Sequence, residues 1–127
     1  MTEILLTTLN ARYSHSSLAL RYLYANLHEL QEKAQILEYV INENMQNIAE
    51  KLLTCKPRII GISVYIWNAS DVEELLHIIK KVAPQTVVVL GGPEASYMPH
   101  RVNFDAADYI VSGEGEEVFY ELCQKIL

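Results

Sequence analysis

The stretch from Thr86 to Ser96 reads TVVVLGGPEAS, and the unbroken apolar run Val87, Val88, Val89, Leu90 inside it restricts the fold sharply. A strand with no polar alternation is buried on both faces, which requires parallel neighbours and a layer of helices on each side. Gly91-Gly92-Pro93 then ends the strand abruptly and leaves its exit turn without side chains. Open α/β sheets bind ligands beyond the carboxyl ends of their strands. Two bare residues at such an end mark a place where a broad, flat ligand can lie on backbone.

The rest of the chain supplies the neighbours that this strand needs. Ile4 to Leu9 (ILLTTL), Ala34 to Ile41 (AQILEYVI), Arg58 to Tyr65 (RIIGISVY) and Ala107 to Val111 (ADYIV) read as further strands. Gln35 and Glu38 interrupt the second of these and mark it as an edge strand. Helical spacing separates the strands. Leu20, Leu23, Leu27 and Leu30 predict a helix reaching about Gln31, capped by Ser14, Ser16 or Ser17. Met45, Ile48, Ala49, Leu52 and Leu53 predict a second helix, opened by Asn42 or Asn44 and closed by Pro57. Val72, Leu75, Leu76 and Ile79 predict a third, with Ser70 and Glu73 spaced as a capping box. Val118, Phe119, Leu122 and Ile126 predict a last helix over Glu116 to Leu127, and residues 94–102 read as loop. Strands alternating with helices through short connections give a doubly wound α/β fold. The expected architecture is a flavodoxin-like (Rossmann-like) three-layer sandwich around a five-stranded parallel sheet of order 2-1-3-4-5. Its ligand crevice is expected where the exits of strands 1, 3 and 4 meet, in the loops Asn10 to Ser17, Tyr65 to Ser70 and Gly91 to Ser96.

Composition narrows the function. A length of 127 residues, 50% of them hydrophobic, suits one globular domain. The net charge is −6 and the ten Lys and Arg residues are scattered, which leaves no basic stripe for a phosphate backbone and makes nucleic acid an unexpected partner. With neither a basic leader nor an apolar run near the ~20 residues of a membrane span, a cytoplasmic protein is expected. Cys55 and Cys123 fall at apolar positions of helical patterns and are expected to be buried free thiols.

The loops carry the chemistry. The first holds Asn10, Tyr13, His15 and three serines, rich in hydrogen-bonding groups but without the glycine that close approach to a phosphate requires. His15 is equally a surface or capping histidine. Tyr65 and Trp67 present broad apolar faces at the third exit, suited to packing a cofactor or to packing the core. Gly113-Glu114-Gly115-Glu116 follows the last strand and is acidic, so it is no dinucleotide fingerprint; Glu114 can accept from an amide or a hydroxyl. A phospho-receiver needs acids after strand 1 and an aspartate ending strand 3, where this chain has Thr7, Thr8, Leu9 and Val64, Tyr65.

Gly91-Gly92-Pro93-Glu94-Ala95-Ser96, Ala107-Asp108-Tyr109-Ile110-Val111, Gly113-Glu114-Gly115-Glu116 and Gly61-Ile62-Ser63-Val64-Tyr65, at their spacing, resemble one family: the cobalamin-binding domain of B12-dependent radical S-adenosylmethionine enzymes, of the anaerobic magnesium-protoporphyrin ester cyclase type. The resemblance covers nearly the whole chain. It implies strand-end loops that form one side of a corrin site, with the nucleotide tail of the cofactor threaded between sheet and helices. Cobalamin domains of the methionine-synthase type carry Asp-x-His-x-x-Gly, Ser-x-Leu and Gly-Gly signatures. Gly91-Gly92 matches the last, and Ser63-Val64-Tyr65 is similar to the second. Around His15, Tyr13 replaces the aspartate and Leu18 the glycine, so the resemblance gives His15 a loop contact and no cobalt ligation. The cofactor contacts it implies are Asn10, Tyr13, His15, Ser63, Tyr65, Trp67, Gly91, Gly92, Pro93, Gly113, Glu114 and Gly115, with no catalytic residue and no protein ligand to a metal. The family's catalytic barrel would add a 4Fe-4S cluster and S-adenosylmethionine, which this chain lacks the cysteine triplet to hold. Residues 1–127 are thus expected to be the cobalamin-binding, N-terminal fragment of a longer protein, non-catalytic alone. Two rival expectations are a flavodoxin-like electron carrier with flavin mononucleotide and an interaction module without a ligand.

Overall fold

The computed structural model describes residues 2–11, 17–65, 67–92, 103–111 and 115–127. The elements run β1 (Ile4–Asn10), α1 (Leu18–Ala25), a 3-10 helix (His28–Lys33), β2 (Ala34–Val40), α2 (Met45–Thr54), β3 (Ile59–Ser63), α3 (Ala69–Val82), β4 (Val87–Gly91), β5 (Tyr109–Ile110) and α4 (Glu116–Ile126). All four strand pairings are parallel and the order is β2-β1-β3-β4-β5, as the alternation of strand and helix patterns predicts.

Strands β1 to β4 divide their side chains between two cores. Leu5, Leu9, Ile60, Ile62, Val64, Val88 and Leu90 pack against Ile48 and Leu52 of α2 and Val72, Leu75, Leu76 and Ile79 of α3. On the opposite face Ile4, Leu6, Ile59 and Val89 pack against Leu20 of α1, Leu27, Leu30, and Phe119 and Cys123 of α4. The full burial of β1 and β3 follows from their place inside the sheet, and β2 lies at one edge with only Val40 buried, as its polar interruptions require.

Four local features differ from the sequence expectation. The long first helix stops at Ala25, where Asn26 folds its backbone N–H onto Tyr22 and Leu23; Leu27 and Leu30 reach the same core from a 3-10 helix. The fifth strand shrinks to two residues because the Asp108 carboxylate itself accepts the Val88 N–H (2.8 Å) and ends the ladder there, held by Lys80 (2.8 Å). The third helix is opened by Asn68, and Glu73 bonds to the backbone of Asn103, so the Ser70–Glu73 capping box does not form. Cys123 is buried as expected, but Cys55, the residue that ends α2, is half-buried. The predicted caps of the first two helices are present: Ser17 Oγ accepts from Leu20 N, and Asn44 Oδ1 from Gln46 N and Asn47 N. Among the described residues no helix is long and apolar enough to cross a membrane.

Candidate functional site

The helices that follow β1 and β5, α1 and α4, both cover the Gly61 face of the sheet. Small residues on that face leave space between the strand ends and the helices. Gly61, Ser63 and Gly91 stand there where the opposite face carries Ile62, Val64 and Leu90. The result is a cleft of about 450 Å³ over the carboxyl ends of β3 and β4, walled by Ala19 and Leu23 of α1, by Phe119 of α4 and by Val111. Gly115 and Glu116 stand where α4 enters.

The two glycines of the opening motif do different things. Gly92 has φ +105°, and a Cβ there would lie 2.5 Å from the Val64 carbonyl oxygen and 2.9 Å from its nitrogen. Its lack of a side chain is therefore a condition of the turn. Gly91 has an ordinary strand backbone, and a Cβ there would meet only the Val111 carbonyl at 3.8 Å, because it would project into the cleft. Gly61 is a third case. It gives the Phe119 ring a seat on the sheet, with Phe119 Cζ 3.1 Å from where a Cβ would be. Gly115 admits Val111 in the same way, at the start of α4.

Polar groups in the cleft are few and almost all satisfied. The Gly91 carbonyl accepts from Val64 N (2.7 Å), the Leu90 carbonyl from Val111 N (2.8 Å) and the Gly115 carbonyl from Phe119 N (2.8 Å). Among the buried side chains of the cleft the exception is Ser63, which is 3% exposed and whose hydroxyl has no hydrogen-bond partner, while the half-buried Glu116 carboxylate lines the entrance. A buried hydroxyl without a partner costs free energy that a ligand can recover. Thr7 Oγ1 is also unpartnered, but Thr7 alternates with Leu5 and Leu9 and so faces the other core.

Beside the cleft, at the β1–β3 exit, Asn68 ties the two strands together. Its Oδ1 accepts from Tyr65 N (2.8 Å), and its Nδ2 donates to the Leu9 carbonyl (3.0 Å) and to Thr8 Oγ1 (3.3 Å). Trp67 Nε1 donates to the same Leu9 carbonyl (3.3 Å), which brings its ring flat against Tyr65, centroids 4.6 Å apart and planes 3° from parallel. Trp67 is 48% exposed, so the pair presents an aromatic face at the sheet's carboxyl edge. Asn10 is turned toward β2. Its Nδ2 donates to Glu38 Oε1 (3.1 Å), which also accepts from Ser17 N (2.6 Å), while Arg21 pairs with Glu38 Oε2 (2.8 Å). Burial pushes the Glu38 carboxyl up, but the hydrogen bonds from Asn10, Ser17 and Arg21 outweigh it and hold the group below its ordinary value. Glu38 thereby fixes where α1 begins.

Of the residues expected to touch a cofactor, Ser63, Gly91, Gly92 and Gly115 thus line one cleft. Tyr65 and Trp67 lie at the neighbouring β1–β3 exit, and Asn10 is engaged with Glu38. Tyr13, His15, Pro93, Gly113 and Glu114 lie outside the described residues. Sequence reasoning missed Ala19, Leu23 and Phe119 as cleft walls; the alternation Gly61-x-Ser63 in an otherwise large-residue strand was the signal for a cavity on that face. It also missed Asn68, whose place between an aromatic and a helix pattern gives no hint of burial. Among the described residues no three His, Cys, Asp or Glu side chains gather as a metal site.

A model of the B12 binding domain matches residues 4–123. The chain belongs to the B12-binding domain family. This B12-binding domain is 39% identical over 77 residues to the anaerobic magnesium-protoporphyrin IX monomethyl ester cyclase of Rubrivivax gelatinosus, a match that covers 59% of the chain and 14% of that protein. The domain thus spans about a seventh of the curated relatives it matches. Among solved structures, it superposes on the cobalamin-dependent S-adenosylmethionine radical enzyme OxsB with a TM-score of 0.69 at 20% identity, over 98% of the domain and 19% of that chain. It superposes on a cobalamin-binding protein from Desulfitobacterium hafniense with a TM-score of 0.65 at 16% identity, over 99% of the domain and 59% of that chain. At these identities the two structural likenesses are likenesses of fold.

Proposed function

We propose that this B12-binding domain holds cobalamin, with the corrin ring against the carboxyl ends of β1, β3 and β4 and the nucleotide tail in the cleft between α1 and α4. The observation that carries the reading is the cleft itself, an apolar slot kept open by Gly91 and holding the unpartnered hydroxyl of Ser63. The residues present fit such a tail: an apolar base finds Leu23, Val89 and Phe119, and its polar edges find the Ser63 hydroxyl and, at the entrance, the Glu116 carboxylate. Tyr65 and Trp67 supply an aromatic surface for the ring's periphery. Tyr13, His15, Pro93, Gly113 and Glu114, which lie outside the described residues, are further proposed contacts, and Asn10 sets the start of the first loop. When bound, cobalamin supplies a reactive cobalt, while the protein contributes binding, orientation and exclusion of water. On this reading the domain serves a longer cytoplasmic B12-dependent radical S-adenosylmethionine enzyme of methyltransferase or cyclase type, whose barrel holds the 4Fe-4S cluster and S-adenosylmethionine. Alone it catalyses nothing.

The test is retention. The purified chain is incubated with hydroxocobalamin and, separately, with flavin mononucleotide, desalted, and its absorbance recorded. Corrin bands are expected, and Gly91→Leu is expected to remove them while leaving the circular dichroism melt in place, since its side chain enters the cleft. Retained flavin in place of corrin makes the chain an electron carrier. Retention of neither makes it an interaction module.

A further inference from the structure

We propose that the β5–α4 edge of the domain is a surface for a second copy of this chain, the two copies meeting across a two-fold axis with their α4 helices antiparallel. Exposed apolar side chains are concentrated there. Among the described residues seven large hydrophobic side chains are exposed, and three of them, Tyr109, Ile110 and Val118, surround one hollow of about 370 Å³ between β5 and α4. The other four are spread over α1, the exit of β3 and the end of α3. Scattered exposure is ordinary, whereas a contiguous apolar patch marks a contact surface.

The two edges of the sheet differ in the same sense. β2, at one edge, carries Gln35 and Glu38, with Arg21 paired to Glu38, and such charge deters a further strand from adding. β5, at the other, pairs only with β4, and the Asp108 carboxylate before it is turned inward onto the Val88 N–H and Lys80. No charge on β5 guards that edge. Charge on α4 decides what covers it. Glu121 and Lys125 are exposed, border the hollow one helical turn apart and, among the described residues, form no ion pair within the chain. A surface that meets its own copy must be complementary to itself. Antiparallel α4 helices set Glu121 against the partner's Lys125 and Lys125 against the partner's Glu121. The two ion pairs then flank Leu122 of each copy, and Tyr109, Ile110 and Val118 are covered. Phe119 faces the cofactor cleft, so the contact uses a different side of α4.

The test is sedimentation velocity of the 127-residue chain over a dilution series, without cofactor. A dimer that dissociates on dilution is expected. Val118→Asp should be monomeric with an unchanged melt, since the side chain it replaces is exposed. Glu121→Lys and Lys125→Glu, each alone, set like charges against each other across the axis and should weaken the dimer about tenfold or more. Mixing the two charge variants should give a heterodimer at least as tight as the parent dimer, because each chain then meets its opposite. Only self-pairing through α4 predicts that rescue. A parent chain that is monomeric at every concentration overturns self-pairing at this edge. So does a dimer unaffected by Val118→Asp or by either charge reversal, or a mixture of the two charge variants that associates no better than each alone.

Discussion

Asn68 is fully buried at the point where β1, β3 and α3 converge, and its replacement by alanine tests whether one carboxamide holds the carboxyl edge together. Two of its bonds have good length, 2.8 Å from Tyr65 N and 3.0 Å to the Leu9 carbonyl. Each contributes about 1 kcal/mol net, and a Tyr65 N–H left without its acceptor adds about 1 more. The Leu9 carbonyl keeps Trp67 Nε1, and the Ser63 carbonyl keeps Thr8 Oγ1 at 2.7 Å, so neither is orphaned and neither adds to the loss. The expected cost of Asn68→Ala is about 3 kcal/mol, a large share of a small domain's stability. Urea unfolding followed by far-ultraviolet circular dichroism should show it as a fall in midpoint of about 1.5 M at unchanged slope. Asn68→Asp is the companion. It keeps an acceptor for Tyr65 N but sets an oxygen against the Leu9 and Ser63 carbonyls, so it should be at least as damaging at neutral pH and should recover stability as acid protonates it into a donor. A loss below about 1 kcal/mol in Asn68→Ala would falsify the argument that this side chain joins the strands.

Three further outcomes follow from the geometry. Gly92→Ala is expected to cost about 2–4 kcal/mol from the left-handed backbone and the collision with Val64, measured by the same unfolding curve; parental stability would mean that the turn adapts. Glu38, held below its ordinary value, stabilises the fold fully above the unfolded carboxyl range and loses that contribution as pH falls through its folded value. The acid limb of a stability–pH curve should therefore flatten in Glu38→Gln between about pH 5 and pH 3, and parallel curves for parent and variant there would count against the Asn10–Ser17–Arg21 cage. A thiol reagent should label half-buried Cys55 in the folded chain and leave Cys123, pushed up to about 12 by burial, untouched until unfolding; mass spectrometry of the labelled peptides decides it.

The layered fold was legible because it depends on repetition. Apolar strands such as Ile59–Ser63 alternate with amphipathic helices such as Met45–Thr54, and the right-handed crossover rule leaves few strand orders to choose from. What was not legible depends on single contacts made at long range. Leu27 and Leu30 keep helical spacing across the break at Asn26, because a 3-10 turn can also deliver residues three apart to one face. Asp108 looks like an ordinary strand residue until its carboxylate replaces a rung of the ladder at Val88. Glu38 marks the edge strand as its polarity suggests, and it is also the anchor that Asn10 of the neighbouring β1 and Ser17 at the start of α1 close upon. The first-loop residues Tyr13 and His15, together with Pro93, Gly113 and Glu114, lie outside the described residues.

The cleft itself turns on a difference between the two sides of the same strands. On the α2–α3 side, β3 and β4 end in Ile62, Val64 and Leu90, which fill the space beneath the helices. On the α1–α4 side the same stretches present Gly61, whose place is taken by the Phe119 ring, and Ser63 and Gly91, which leave a gap. A domain selected for stability alone gains from filling such a gap, since buried methylenes contribute about 0.8 kcal/mol each. Leaving it open beneath an unpartnered hydroxyl is costly unless a ligand enters, and the mostly apolar walls of the slot suit a largely apolar group. Gly91 and Gly92 are therefore not one motif with one purpose. Gly92 makes the turn possible, Gly91 keeps the slot clear, and substitutions at the two positions should separate folding from binding.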